Sequence, residues 1–263
     1  MSPELLSDLA KMAGISQTAL LTGFVVFLRV GAAMALLPAF GEQSVPQRVR
    51  LALALCFTLV VAPGAADKVA GLAAPGDVLN MALITEPLAG LIIGIVLRLF
   101  ILALQMAGTI AAQATSLSQF FGGAGVEPQP AISQILVASG LALAVMAGLH
   151  IRMAEMLLQS YDALPAGEFP SAALITEWGL GQIAHAVGLA FSLAAPFVIA
   201  SLIYNVALGV INRAMPQLMV SFIGAPALAF GGLALLVLVV PLALGLWITA
   251  LGGFLADPFA VTP

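Results

Sequence analysis

Three charged side chains stand inside apolar stretches of this chain: Arg29, Glu86 and Arg98. A charge in hydrocarbon costs at least ~2.5–3.5 kcal/mol on insertion scales, so each of them needs a partner or a water-filled route. Arg29 and Glu86 are of opposite sign and are candidates for a pair across helices. Two other readings of Glu86 stand beside that one. Glu86-Pro87 suits the opening of a helix, where a carboxylate meets the positive end and proline fits the first turn. A proton-relay role is the third. Arg98 belongs to a longer pattern. With residues 88–115 wound at about 100° per residue, Gly90, Gly94, Arg98, Gln105, Gly108, Thr109, Ala112, Gln113 and Ser116 share about 140° of arc. The opposite face is Leu, Ile, Val and Phe. Small residues such as Gly90-x-x-x-Gly94 permit close helix approach, so one reading is a helix interface. The other is a face lining a hydrated channel.

Covalent chemistry finds no support. His150 and His185 are isolated from each other and from Cys56, and no metal-ligand spacing occurs. There is no Gly-x-x-x-x-Gly-Lys phosphate loop, no nucleophile elbow and no zinc-protease helix. No catalytic residue, cofactor or metal is expected. The remaining basic side chains of interest are Arg48 and Arg50, three residues apart from Val45 and four from Pro46, and Arg213, just before Pro216-Gln217.

The elements that position these residues must be membrane helices. The 263 residues are 62% hydrophobic and 8% charged, with a mean hydropathy of +1.15. A soluble domain is about 45–50% apolar and about 25% charged. A net charge of −4 leaves no basic surface for nucleic acid. The segment before the first apolar run carries Glu4, Asp8 and Lys11 rather than a basic leader, so that run is expected to stay in the mature protein. Six apolar runs follow. Residues 18–37, about 20 long, suffice to cross a ~30 Å core, whereas 51–62, about 12 long, do not. Residues 88–115, 183–210 and 225–252 are each about 28 long and 132–149 about 18. Pro196, Pro226 and Pro241 interrupt the last two long runs. Short runs beside proline-broken ones predict broken helices or re-entrant hairpins, which need protein or water to cover freed backbone. Connections are expected at 38–50, 63–77, 116–131 and 150–182. Lys/Arg bias would put Arg48, Arg50 and Arg213 on the cytoplasmic side. The expected class is an all-α integral membrane protein of about six hydrophobic segments, with residues 1–263 as one domain.

The connection SLSQFFGGAGVEPQPA is long for neighbouring helices, which are usually joined by ~2–8 residues. Phe120 and Phe121 are bulky and apolar. Gly122, Gly123 and Gly125 free the backbone, and Pro128 and Pro130 stiffen the exit. An ordinary surface loop is one reading; two adjacent phenylalanines on a glycine hinge fit a movable apolar plug better.

The stretch RVGAAMALLPAFGEQSVPQRVRLALALCFTLVVAP resembles the FliR family of flagellar export-gate proteins and their type III secretion counterparts. The resemblance rests on Arg29, Val30, Gly31, Pro38, Phe40, Gly41, Val45, Pro46, Arg48, Val49 and Arg50. It continues at Glu86, Gly94, Arg98, Gln105, Gly108 and Gln113, then at Ser160, Tyr161, Leu164 and Pro165. It ends at Gly209, Arg213, Pro216 and Gln217. The resemblance implies a gate subunit that joins FliP-like and FliQ-like subunits, with FlhB-like and FlhA-like export proteins at the entrance. It implies passage of unfolded flagellar export substrates across the bacterial inner membrane at the flagellar basal body. It implies too that residues 116–131 correspond to a pore plug. Membrane lipids are the remaining partner. The equivalent subunit of a virulence secretion system stands beside the flagellar reading. So does a secondary transporter for a small solute, a class built on inverted repeats that this sequence does not display.

Overall fold

The computed structural model describes residues 3–42, 45–72, 77–115, 130–215 and 220–259. Among these the chain is all helical: α1 Pro3–Met34, α2 Gln47–Val69, α3 Asp77–Ala114, α4 Ala131–Met146, α5 Leu149–Ala163, α6 Ala172–Ala214 and α7 Val220–Ala256. A single 3-10 turn, Ala70–Leu72, extends α2. The six apolar runs became α1, α2, α3, α4, α6 and α7. Among the described residues four helical stretches are long and apolar enough to cross a membrane: Gln47–Leu72, Met81–Ala114, Ala172–Ala214 and Pro226–Ala256. The bent pair α4–α5 makes a fifth if counted as one span.

The run expected to be too short is therefore a full span, and Pro63 lies inside α2 rather than at its end. Buried Ala54, Thr58, Val61, Ala65 and Val69 form one helical stripe that continues through the proline. Packing of that stripe outweighs the amide bond that Pro63 removes.

The expected connection 150–182 is also mostly helical. α5 buries Leu149, Met153, Met156, Leu157, Ser160 and Tyr161, spaced to fill one face. Gly148 precedes it in the left-handed region, at φ 82°, and this is where the bent pair turns. Pro196, Pro226 and Pro241 lie within helices, not at breaks. In α6 the buried positions Gln182, Ala186, Ala190, Leu193, Ala194, Phe197 and Ser201 run past Pro196 on one face. The break in the chain thus falls at a glycine, where the sequence pattern had pointed to prolines.

Two compact units emerge. The first comprises Met1–Arg98, Gly148–Gly181 and Leu255–Pro263; the second comprises Leu99–Ala147 and Gln182–Phe254. In the first, the Pro38-x-Phe40-Gly41 turn reverses the chain after α1. Ala39 sits at φ 66°, and a Cβ on Gly41 would come within 2.7 Å of the Ala35 carbonyl oxygen, so only glycine fits there. Phe40 meets Phe57 of α2 edge to face at 5.8 Å. The C-terminal segment is fastened to the start of α6: Trp178 Nε1 donates to the Pro258 carbonyl at 3.1 Å, and its ring stacks on Phe259.

In the second unit, Trp247 is fully buried and donates from Nε1 to the Phe100 carbonyl at 2.8 Å. Gly140 makes room beside it for Leu104. Ala103, Ala186 and Ala190 form a small-residue core between α3 and α6, flanked by Leu99, Met106 and Leu189.

Candidate functional site: a buried charge clasp and a polar helix face

In the first unit Arg29 and Glu86 are each 0% exposed. Arg29 Nε donates to Glu86 Oε2 at 2.8 Å and one terminal nitrogen to Oε1 at 3.2 Å, a two-pronged pairing that a lysine has no geometry to make. The same nitrogen donates to the Leu164 carbonyl at 2.9 Å, and the other donates to Ser160 Oγ at 3.1 Å. Ser160 Oγ in turn donates a hydrogen bond to the Leu157 carbonyl at 2.6 Å. The guanidinium carbon lies 3.8 Å from the centre of the Tyr161 ring, a cation–π contact. Glu86 Oε1 also accepts from the Gly167 amide at 3.0 Å, and Gly167 adopts φ +77° to present it.

Close helix approach makes this possible. A Cβ on Gly90, one turn beyond Glu86, would lie 2.1 Å from the Arg29 carbonyl oxygen. On Gly94 it would lie 2.9 Å from the Ala33 carbonyl. Glycine spacing on α3 thus lets α1 descend until Arg29 reaches Glu86. Glu86 stands in the interior of α3, which begins at Asp77, so the expectation that Glu86-Pro87 opens the helix is corrected. The carboxylate is held by α1 and the α5–α6 connection instead of by a helix end. Both its oxygens are occupied, which describes a clasp binding α1, α3 and α5.

A second ion pair holds the turn after α1. Arg98 donates to Glu42 Oε1 at 2.5 Å, with both side chains partly buried. Arg50 donates to the Glu42 carbonyl at 3.0 Å and lies 3.4 Å from that of Gly41. Arg48, two residues earlier in α2, is exposed. Lys68 meets both carboxylate oxygens of Asp162 at 2.6 Å on the surface, joining α2 to α5. Lys68 therefore lies in the last turn of α2, not in a polar connection.

In the second unit the stripe on α3 divides. Its small residues pack: a Cβ on Gly108 would fall 2.3 Å from the Ser133 Cα, and Ser133 Oγ donates to the Gln105 carbonyl at 3.2 Å. Its larger polar side chains stay open. Gln105, Thr109 and Gln113 line a groove of about 490 Å³ together with Phe191 and Val187 of α6. Thr109 turns its hydroxyl to the Gln105 carbonyl at 2.8 Å.

The sequence of this chain is similar to known proteins over most of its length. A family model described as bacterial export proteins, family 1, covers residues 20–253. The flagellar biosynthetic protein FliR of Caulobacter vibrioides is 33% identical over 216 residues, 81% of this chain and 86% of that protein. FliR of Escherichia coli is 30% identical over 229 residues, covering 83% and 84%. FliR of Bacillus subtilis is 26% identical, covering 77% and 79%. The chain belongs to the FliR family of bacterial export proteins.

For this family the geometry gives physical content to residues that the sequence only grouped. Arg29, Glu86, Ser160, Tyr161 and Leu164 came from three separate blocks, and they meet at one guanidinium. Arg98 and Arg50 meet at Glu42, which the sequence did not single out. Gly167 and Trp247 were missed as well; Gly167 has no signal beyond its residue type, while Trp247 is one of only two tryptophans. Arg213 is exposed in the last turn of α6. Ser116, Phe120, Phe121, Gly122, Gly123 and Gly125 lie outside the described residues, as do Pro216 and Gln217.

Proposed function

We propose that this FliR-family chain is a structural and channel-forming subunit of the flagellar type III protein export gate. The observation that carries this reading is the family match over residues 20–253 in a chain whose described residues include four helices, or five spans with the bent pair, long and apolar enough to cross a membrane. In the proposal, residues 1–263 act as one integral-membrane domain, because α3 and α6 run uninterrupted from one compact unit into the other. The chain joins FliP-like and FliQ-like subunits in the bacterial inner membrane at the basal body. FlhB-like and FlhA-like proteins deliver unfolded flagellar substrates to it. The protein performs no covalent chemistry and holds no cofactor.

The roles of its residues follow from their surroundings. Arg29 and Glu86 hold the fold. Gln105, Thr109 and Gln113 form the face offered to the pore or to a neighbouring subunit, because these polar side chains line an open groove on an otherwise apolar stretch of α3. Arg48, Arg213, Pro216 and Gln217 serve contacts at helix ends. Phe120 and Phe121 obstruct the resting pore, and Gly122, Gly123 and Gly125 let that obstruction move, since an apolar constriction stops ions by dewetting.

Two tests apply. Purification of the chain alone and with FliP-like and FliQ-like subunits is expected to give a homogeneous particle only in their company; a well-folded, homogeneous monomer with no gain from partners contradicts the reading. Deletion of residues 120–125 is expected to raise ion leak across the membrane once assembly is confirmed. An assembled deletion that leaks no more than the parent assigns the seal to partner side chains.

A further inference from the structure

In the first unit a slot of about 450 Å³ opens among α1, α2 and α3. Its walls are Phe27, Leu28 and Gly31 of α1, Leu51 and Ala54 of α2, and Pro87 of α3. Gly31 leaves the wall open, because a Cβ there would only touch the Phe27 ring at 3.7 Å. One end is polar and basic. Gln47 and Arg50 lie there, in the first turn of α2, and Arg48 stands exposed in the same turn. Arg50 Nε is buried, and no described group accepts its proton, while its terminal nitrogen is engaged with the carbonyls of the turn after α1. The helix start adds to this positive end. Pro46 at the cap supplies no side-chain acceptor to the first amides, and no acidic residue lies in the first turn. Glu42, the nearby carboxylate, is taken by Arg98.

We infer that this slot binds one anionic phospholipid, with an acyl chain between α1 and α2 and the headgroup phosphate at Arg48, Arg50 and the α2 N-terminus. The charge pattern selects this occupant. An apolar slot alone accepts any lipid tail or apolar helix, but two arginines at a helix start, with no free carboxylate beside them, ask for a negative group. Basic pockets between membrane helices bind anionic headgroups on the same grounds. A slot of this size lies within the ~300–1,000 Å³ range of small-molecule sites. The inference rests on the membrane-spanning fold and not on the export role, so either can fail alone.

The test is native mass spectrometry of the full chain, purified in mild detergent with whatever subunits accompany it. It is exposed to phosphatidylglycerol or phosphatidylcholine at equal concentration. Each arginine near a membrane surface is worth about a fivefold preference for an anionic lipid. Phosphatidylglycerol is expected to be retained at least that much more than phosphatidylcholine, and Arg48→Gln to remove one such factor. Arg48 is exposed and bonds no described group, so its loss is expected to leave folding intact. Lys68→Gln, which removes a cation elsewhere on the surface, is expected to change nothing. Gly31→Leu fills the slot and is expected to lower retention of both lipids. Equal retention of the two lipids overturns the inference. So does equal loss from Arg48→Gln and Lys68→Gln, because that signals general charge attraction. Unchanged retention in Gly31→Leu places the lipid outside the slot and overturns it as well.

Discussion

Helix α3 carries polar residues in both compact units, and the two halves treat them in opposite ways. Near its start, Glu86 is saturated by Arg29 and the Gly167 amide, with no exposure to solvent. Towards its end, Gln105, Thr109 and Gln113 border an open groove. Both sets look alike in an apolar sequence. The difference lies in what the rest of the chain brings to them: Arg29 of α1 and the Gly167 amide converge on Glu86, whereas in the second unit the covered face of α3 is Phe100, Ile101, Leu104 and small residues, with the larger polar side chains left on the groove. A saturated polar group in an apolar setting serves the fold; an open one is available to another molecule.

The largest effect expected from breaking this contrast is at the clasp. Arg29→Leu or Glu86→Leu leaves the other charge buried and unpaired, a cost of about 3–5 kcal/mol. Loss of the folded chain, read by its yield from membranes, is expected for either. The double substitution Arg29→Leu with Glu86→Leu is expected to recover part of that yield, because apolar replacement of a whole buried pair is often neutral or better. If the double variant is as poor as the sum of the singles, the pair does not act as a unit.

Next comes close packing. Gly90→Val and Gly108→Val force a side chain onto the backbone of α1 or α4, where overpacking costs roughly 1–3 kcal/mol. Thermal unfolding in detergent should show both variants melting earlier. A neutral Gly108→Val would mean that α4 shifts freely along α3.

Arg98→Leu should be milder, at about 1 kcal/mol, since its pair with Glu42 is partly exposed. Lys68→Leu should be milder still, with both partners on the surface. Yield and motility are expected to rank Arg98→Leu below Lys68→Leu. Equal, parent-like behaviour would show that the turn after α1 needs no ion pair and that Arg50 alone holds it.

The contrast between these regions was only partly legible in the sequence. Apolar content read the class, because no soluble core absorbs so little charge. The stripe on α3 was visible because it repeats every three or four residues. α2 was cut short at Pro63 because proline was weighed as a breaker, although Ala54, Thr58, Val61 and Ala65 keep helical spacing across it. α5 was lost in a polar connection because average hydropathy hides a helix with one apolar face. The clasp could be suggested from two opposite charges, but Ser160, Leu164 and Gly167 lie more than 80 positions from the partners they bind, and nothing local announces them. Glu42 looked like an ordinary loop residue until Arg98 was seen to reach it.

The most direct test of the division along α3 is the export rate per copy of assembled complex, measured in cells carrying Glu86→Gln or the pair Gln105→Leu and Gln113→Leu. For Glu86→Gln the number of assembled copies is expected to fall while each surviving copy exports at the parent rate. For Gln105→Leu with Gln113→Leu the copies are expected to persist while export per copy falls. Reversal of that pattern, with Glu86→Gln assembling normally but exporting poorly, would make the buried carboxylate part of the working machinery and contradict the account.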